Sequence, residues 1–204
     1  MVGAGVFGGY HAAKYAALDD VQLTSVFDTD GVRARALAGQ YGAAAAPTFE
    51  HFLDSVDVLT IATPASRHFD YAREALAAGR HVLVEKPLAL SVDDADALVD
   101  LANRRRRVLQ VGHQERFVAE SLGLFAGLKP PRRARCRRVN PRSGRGEDVS
   151  VVLDLMIHDL DLLRRLPLGP LVAVSAAGDR DDAEAELAFA NGARAILVAS
   201  RTAP

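Results

Sequence analysis

Up to about Leu128 the chain alternates short apolar runs with longer stretches of helical periodicity, and that alternation narrows the possible folds most. Runs at Leu23 to Phe27, Val56 to Thr63, His81 to Val84 and Val108 to Val111 have the Val, Ile and Leu character of strands covered on both faces. Helical patterns fill the gaps between them. Strands that alternate with helices assemble a parallel sheet from βαβ units. The clearest helix follows Ser91, which with Asp94 three residues on makes a capping-box start for an Ala/Leu/Val-periodic run ending at residues 104–107. Those four arginines suit a helix C-terminus, whose partial negative charge favours cations, and predict a solvated helix end rather than a nucleic-acid contact.

The texture changes at Lys129-Pro130-Pro131, where seven arginines follow between Arg132 and Arg145. A domain junction is expected there, dividing the chain into residues 1–128 and 129–204. Beyond it the pattern predicts one long helix from about Val151 to Leu166, then strands at Leu171 to Ala176, Ala183 to Ala190 and Ala193 to Ser200. Asn191-Gly192 between the last two is a hairpin signal. The expected fold class is therefore α/β: a Rossmann-type parallel-sheet domain followed by an incomplete α+β domain with an open, mainly antiparallel sheet.

Composition excludes several functions. The hydrophobic share is 49% and the formal net charge −1, without an apolar run approaching a membrane span, so neither a membrane nor a nucleic acid is an expected partner. No signal or transit segment is recognised at the start, and the single Cys136 cannot form an internal disulfide, so the expected location is the reducing cytoplasm. Nearly all 25 basic residues are arginine; lysine occurs only at Lys14, Lys86 and Lys129. Unlike arginine, a buried lysine can lose its proton and act as an acid or base.

Three motifs carry chemistry. Gly3-Ala4-Gly5-Val6-Phe7-Gly8 is a GxGxxG opening a helical run, whose glycines permit a tight turn and close approach to a pyrophosphate at a helix N-terminus. Asp28 lies 20 positions after Gly8, where an acid accepts hydrogen bonds from an adenosine ribose and favours NAD; Arg33 and Arg35 nearby leave NADP open. Only Met1 and Val2 precede the turn, so either the central strand is shortened or the chain starts late relative to a longer parent. Val84-Glu85-Lys86-Pro87 places an amine at a strand's C-terminal edge, where ligands bind in such sheets. In the third motif, Asp154 to Asp161, a spacing of four puts Asp154 and His158 on one helical face among apolar residues. The carboxylate can orient the imidazole, which can exchange a proton with a hydroxyl; a satisfied core histidine is the competing reading. Two such ligands have no evident third, so no metal is expected.

Taken together, GAGVFG, Asp28, TPASRH (Thr63 to His68), VEKP, VGHQERF (Val111 to Phe117) and DLMIHDLD resemble the glucose-fructose oxidoreductase, inositol dehydrogenase and rhizopine-catabolism (Gfo/Idh/MocA) family. The resemblance implies an NAD(P)-dependent oxidoreductase acting on a sugar-like hydroxyl. By position, Lys86, Asp154 and His158 match its catalytic residues. Gly3, Gly5, Val6, Phe7, Gly8, Asp28, Thr63, Pro64, His68 and Glu85 fall on its cofactor side, and Arg116 turns towards substrate. LQVGHQERF with DVSVVLDLMIHDLD is most similar to the branch oxidising C3 of UDP-N-acetylglucosamine, whose ketone a partner aminotransferase uses. In that reading Arg137, Arg138, Arg142 and Arg145 meet the nucleotide diphosphate. The resemblance also implies a homo-oligomer built through the C-terminal sheet. Family members continue for roughly a hundred residues past a segment like Ala195 to Arg201, so an unfinished second sheet is expected.

Overall fold

The computed structural model describes residues 1–141 and 146–202, and the chain forms two compact units, Met1–Gly112 and His113–Pro204. In the first unit the order is α1 (Val6–Ala16), β1 (Ser25–Val26), α2 (Gly31–Gln40), β2 (Ala44–Ala45), α3 (Phe49–Asp54), β3 (Val58–Ile61), α4 (His68–Ala77), β4 (His81–Val84), α5 (Val92–Arg105) and β5 (Leu109–Val111). All strand pairs are parallel: β1 with β2, and β4 between β3 and β5. The two groups are joined through Val2, which bridges Phe27 on one side and Ile61 on the other. Four backbone hydrogen bonds of 2.8–2.9 Å make that seam, from Val2 to Thr60, Ala62 to Val2, Gly3 to Phe27 and Phe27 to Met1.

Apolar clusters reflect the βαβ winding. Phe49 and Phe52 of α3, Tyr71 and Leu76 of α4 and Leu98 of α5 pack with Leu59, Ile61, Val82 and Val84. Ala12 of α1 and Ala34, Leu37 and Ala38 of α2 pack around Val26. Helix starts follow local chemistry. Ser91 Oγ accepts from Asp94 N–H at 3.1 Å, Asp30 caps α2 through Val32 and Arg33, and Thr48 caps α3 through His51. Arg104 and Arg105 occupy the last turn of α5, exposed as expected.

The second unit contains α6 (Glu115–Ser121), β6 (Arg133–Val139), a helical segment, and β7 (Leu171–Gly178), β8 (Asp182–Phe189) and β9 (Arg194–Ser200). Lys129-Pro130-Pro131 lies inside this unit, between α6 and β6. The sheet order is β6-β9-β8-β7, with β6 parallel to β9 and the other pairs antiparallel. Gly192, at φ +81°, takes the left-handed backbone needed to turn β8 into β9.

The helix expected over 151–166 is instead a π-helical turn, Val152–Met156, followed by α7 (Ile157–Leu163). A π turn bonds i to i+5, which brings Val151 and Met156 into line, and both are buried against the sheet beside Leu155. Over a single turn the sequence alternation does not separate a π pitch from a regular α-helix. On the sheet, Ala195, Leu197, Ala199, Ala185 and Leu187 face this helix. The outer face carries Arg133, Arg135 and Arg137 on β6, Ile196 and Val198 on β9, and Glu184 and Glu186 on β8. Strand β7 is exposed along its whole length.

Candidate active site

In the first unit the motifs collect at the carboxyl ends of the parallel strands. Gly3 has φ +90°, and a Cβ there would lie 2.6 Å from the Ala62 carbonyl oxygen. A Cβ on Gly8 would fall 1.9 Å from the Gly3 oxygen. Gly5 differs: the space beside its Cα is open, with nothing within 4 Å of a built Cβ. It is the N-cap of α1, whose first turn carries no acidic residue. A turn closed by two glycines and open at the third fits a pyrophosphate set against a helix N-terminus.

Asp28 follows β1 and is nearly buried. Its Oδ2 accepts from Ala4 N–H at 2.7 Å, and its Oδ1 from Asp30 N–H at 2.8 Å and Arg33 Nη2 at 3.0 Å. Burial alone would raise its pKa, but those two backbone donors and the Arg33 guanidinium prevail and hold the carboxyl below its ordinary range. An ionised carboxylate at this place fits ribose hydroxyls and opposes a 2′-phosphate.

His68, 1% exposed, ties two motifs together. Its Nδ1 lies 2.7 Å from the Pro87 oxygen and its Nε2 3.0 Å from the Thr63 oxygen, so one ring clips the loop after β3 to the loop after β4. The imidazole expected on the cofactor side is thus buried between these loops, and Thr63 and Pro64 lead into a single 3-10 turn, Ala65–Arg67. Glu85 is bound by a residue that sequence reasoning missed, His11 of α1, at 2.6 Å. Gly112 leaves room for that carboxylate, since a Cβ there would sit 3.1 Å from Glu85 Oε1. Lys86, half-buried, follows directly.

In the second unit, Asp154 lies in the π turn and His158 in α7. Asp154 Oδ2 accepts from Arg201 Nη2 at 3.1 Å. That guanidinium is 3% exposed and also donates to the oxygens of Val149 at 3.0 Å, Gly146 at 2.5 Å and Asp181 at 3.3 Å. Gly146, at φ +69°, is confined by the same carboxylate, because a Cβ would approach Asp154 Oδ2 to 2.5 Å. His158 is largely buried, and its Nδ1 stands 3.5 Å from Glu115 Oε1. Glu115 in turn is held by Arg138 through Nη1 at 2.9 Å and Nη2 at 2.7 Å, and Arg138 also binds Asp159 at 2.8 Å.

Arg116, expected near substrate, is engaged by Asp161: Nε donates to Oδ2 at 2.8 Å and Nη2 to Oδ1. The Asp161 hydrogen bonds hold its guanidinium still more firmly in the charged form. Arg137 and Arg138 do not act together on one anion, because adjacent strand residues point to opposite faces; Arg137 is exposed and Arg138 turns towards α7. Arg142 and Arg145 lie outside the described residues. Burial pushes the Cys136 thiol up, which favours its protonated form. Among the described residues there is no cluster of metal ligands, and no helix is long and apolar enough to cross a membrane.

Sequence reasoning missed Glu115, Arg201 and His11. Glu115 stands beside Arg116 in the QERF motif, but its partners Arg138 and His158 are distant in sequence, and no local pattern announces that they meet.

Residues 1–113 match the model of the Gfo/Idh/MocA oxidoreductase family, described as an NAD-binding Rossmann fold. The chain is 40% identical over 208 residues to UDP-N-acetylglucosamine 3-dehydrogenase of Acidithiobacillus ferrooxidans, covering 98% of this chain and 66% of the relative. The solved structure of that dehydrogenase superposes with a TM-score of 0.89, covering 99% of this chain and 68% of the other. Inositol 2-dehydrogenase of Rhizobium meliloti is 27% identical, covering 100% of this chain and 68% of the relative. A crystal structure of GenD2 from gentamicin A biosynthesis, in complex with NAD, has a TM-score of 0.85 at 32% identity and covers 100% of this chain and 65% of that one. The chain thus spans about two thirds of the length of these relatives. With the glycine turn, Asp28 and Lys86 set on one parallel-sheet edge, the chain belongs to the Gfo/Idh/MocA oxidoreductases and carries their NAD-binding Rossmann domain.

Proposed function

We propose that this protein is an NAD-dependent dehydrogenase oxidising a hydroxyl of a sugar or nucleotide sugar, with C3 of UDP-N-acetylglucosamine as its substrate position. The observation that carries the reading is that the closed glycine turn, Asp28 and Lys86 all follow the carboxyl ends of the parallel strands of the first unit. The 40% identity to a UDP-N-acetylglucosamine 3-dehydrogenase supports the substrate.

NAD supplies the acceptor for the hydride leaving the carbinol carbon. The chain's own residues do the rest. Gly5 and the start of α1 hold the pyrophosphate, and Asp28 accepts from the ribose hydroxyls. Lys86 hydrogen-bonds the reacting hydroxyl. His158 accepts the hydroxyl proton as the carbonyl forms, and Asp154 completes the catalytic set. The resulting ketone suits an aminotransferase as the next reaction. A second copy of the chain is the partner proposed for the outer sheet face, where the arginines of β6 and the acids of β8 flank apolar Ile196 and Val198.

The test is NADH formation with UDP-N-acetylglucosamine, myo-inositol or glucose 6-phosphate as substrate. Turnover with the UDP-sugar is expected, falling by about 10²-fold or more in Lys86→Ala and His158→Ala while NAD still binds. Turnover unchanged in both variants would overturn the assignment of roles, and oxidation of myo-inositol alone would overturn the substrate.

A further inference from the structure

We infer that Glu115, gripped by Arg138, is a positioning residue that orients the His158 imidazole and directs Nε2 to the substrate hydroxyl. The inference rests on the reading of His158 as the proton acceptor and names what prepares it.

Arg138 holds Glu115 by a fork: Nη1 donates to Oε1 at 2.9 Å and Nη2 to Oε2 at 2.7 Å. Such two-point, charge-assisted pairs fix a carboxylate in its plane as well as in distance. Arg138 is itself anchored from the other side by Asp159, with Nη2 to Oδ1 at 2.8 Å and Nε to Oδ2 at 3.3 Å, and Asp159 is buried next to His158 in α7. The next residue, Arg116, is tied to Asp161 of the same helix. Helix α6 is therefore tied to β6 through Glu115 and to α7 through Arg116, and Glu115 cannot change rotamer without breaking two strong hydrogen bonds.

The consequence falls on His158. Its side chain is 12% exposed, and Glu115 Oε1 stands 3.5 Å from Nδ1. One guanidinium between two carboxylates leaves Arg138, Glu115 and Asp159 with one net negative charge, and part of it faces the imidazole. A carboxylate beside one ring nitrogen favours a proton there, which leaves the lone pair on the other nitrogen to receive a proton. Peripheral ion pairs would serve stability equally well anywhere on α6; this one brings a carboxylate to 3.5 Å from the ring.

The experiment compares wild type with Glu115→Ala and with Glu115→Gln, which keeps the side-chain size should the alanine variant fail to fold. Nitrogen NMR of histidine-labelled protein, with His158 assigned by its loss in His158→Asn, reads the tautomer without turnover. Wild type is expected to carry the proton on Nδ1, and Glu115→Ala to move population to Nε2. In turnover, kcat is expected to fall about tenfold or more, with KM for the UDP-sugar and NAD binding changed by less than about twofold. Arg138→Lys, which keeps the charge but loses the fork, is expected to fall between the two. An unchanged tautomer in Glu115→Ala, or a loss confined to KM, would overturn the inference. Failure of the acid–base reading is separate: there His158→Asn leaves kcat unchanged whatever the spectrum shows.

Discussion

Gly3 and Gly8 show how much function can rest on a missing methyl group. The atom that a Cβ on Gly8 would strike is a backbone oxygen, which cannot swing aside as a side chain can. Gly8→Ala is therefore expected to raise the Kd for NAD by at least about tenfold, measured by calorimetry, since α1 must shift to admit it. Asp28 makes a pH prediction. Its folded carboxyl lies below the ordinary range despite the opposing effect of burial, so its contribution to stability is present above the unfolded pKa and is lost as pH falls through the folded value. Asp28→Asn should thus lower stability at neutral pH and match wild type in strong acid, as denaturant titrations at several pH values would read. These residues were legible in the sequence because their meaning is local: a spacing of glycines, an acid after a strand, a lysine in a chain that rarely uses one. Arg201 was not. Its partner Asp154 lies 47 residues away, and the segment around it read as a strand breaking off, so nothing nearby foretold a buried guanidinium with four acceptors.

At the level of elements the same division holds. The start of α5 was readable because a capping hydroxyl and its partner lie within one turn, and Ser91→Ala is expected to cost about 1 kcal/mol of stability by thermal or denaturant unfolding. Strand β4 falls where the apolar run lies, paired on both sides by β3 and β5 with Val82 and Val84 buried. The π turn escaped notice because hydrophobic periodicity barely separates two helical pitches over a single turn. Its presence has a sharp mutational signature. Deleting Val152, which is exposed enough to be dispensable for packing, should let the segment relax to regular α-helix and rotate what precedes it by roughly 100° about the axis. The Val149 and Gly146 oxygens ahead of the deletion then turn away from the Arg201 guanidinium that binds Asp154, and turnover should fall while NAD binding stays.

On the scale of the whole molecule, the second unit presents a sheet face with arginines on β6, Arg194, Ile196 and Val198 on β9, and Glu184 and Glu186 on β8, Arg194 pairing with Glu186. Two copies related by a twofold axis can set the β6 arginines of each on the β8 acids of the other, and such isologous pairing is the commonest route to a dimer. Sedimentation is expected to find a dimer or larger species that Arg135→Glu shifts towards monomer, and a monomer in wild type would remove this partner. The first unit carries a different lesson in its seam at Val2. Val2 bridges Phe27 on one side and Ile61 on the other, and the dinucleotide turn and Asp28 follow directly from these residues. A bound dinucleotide would act as a rivet across the joint, adding about 2.7 kcal/mol when present at a hundred times its Kd. Amide exchange should then slow together in β1 and β3, on both sides of a boundary that the ligand does no more than straddle.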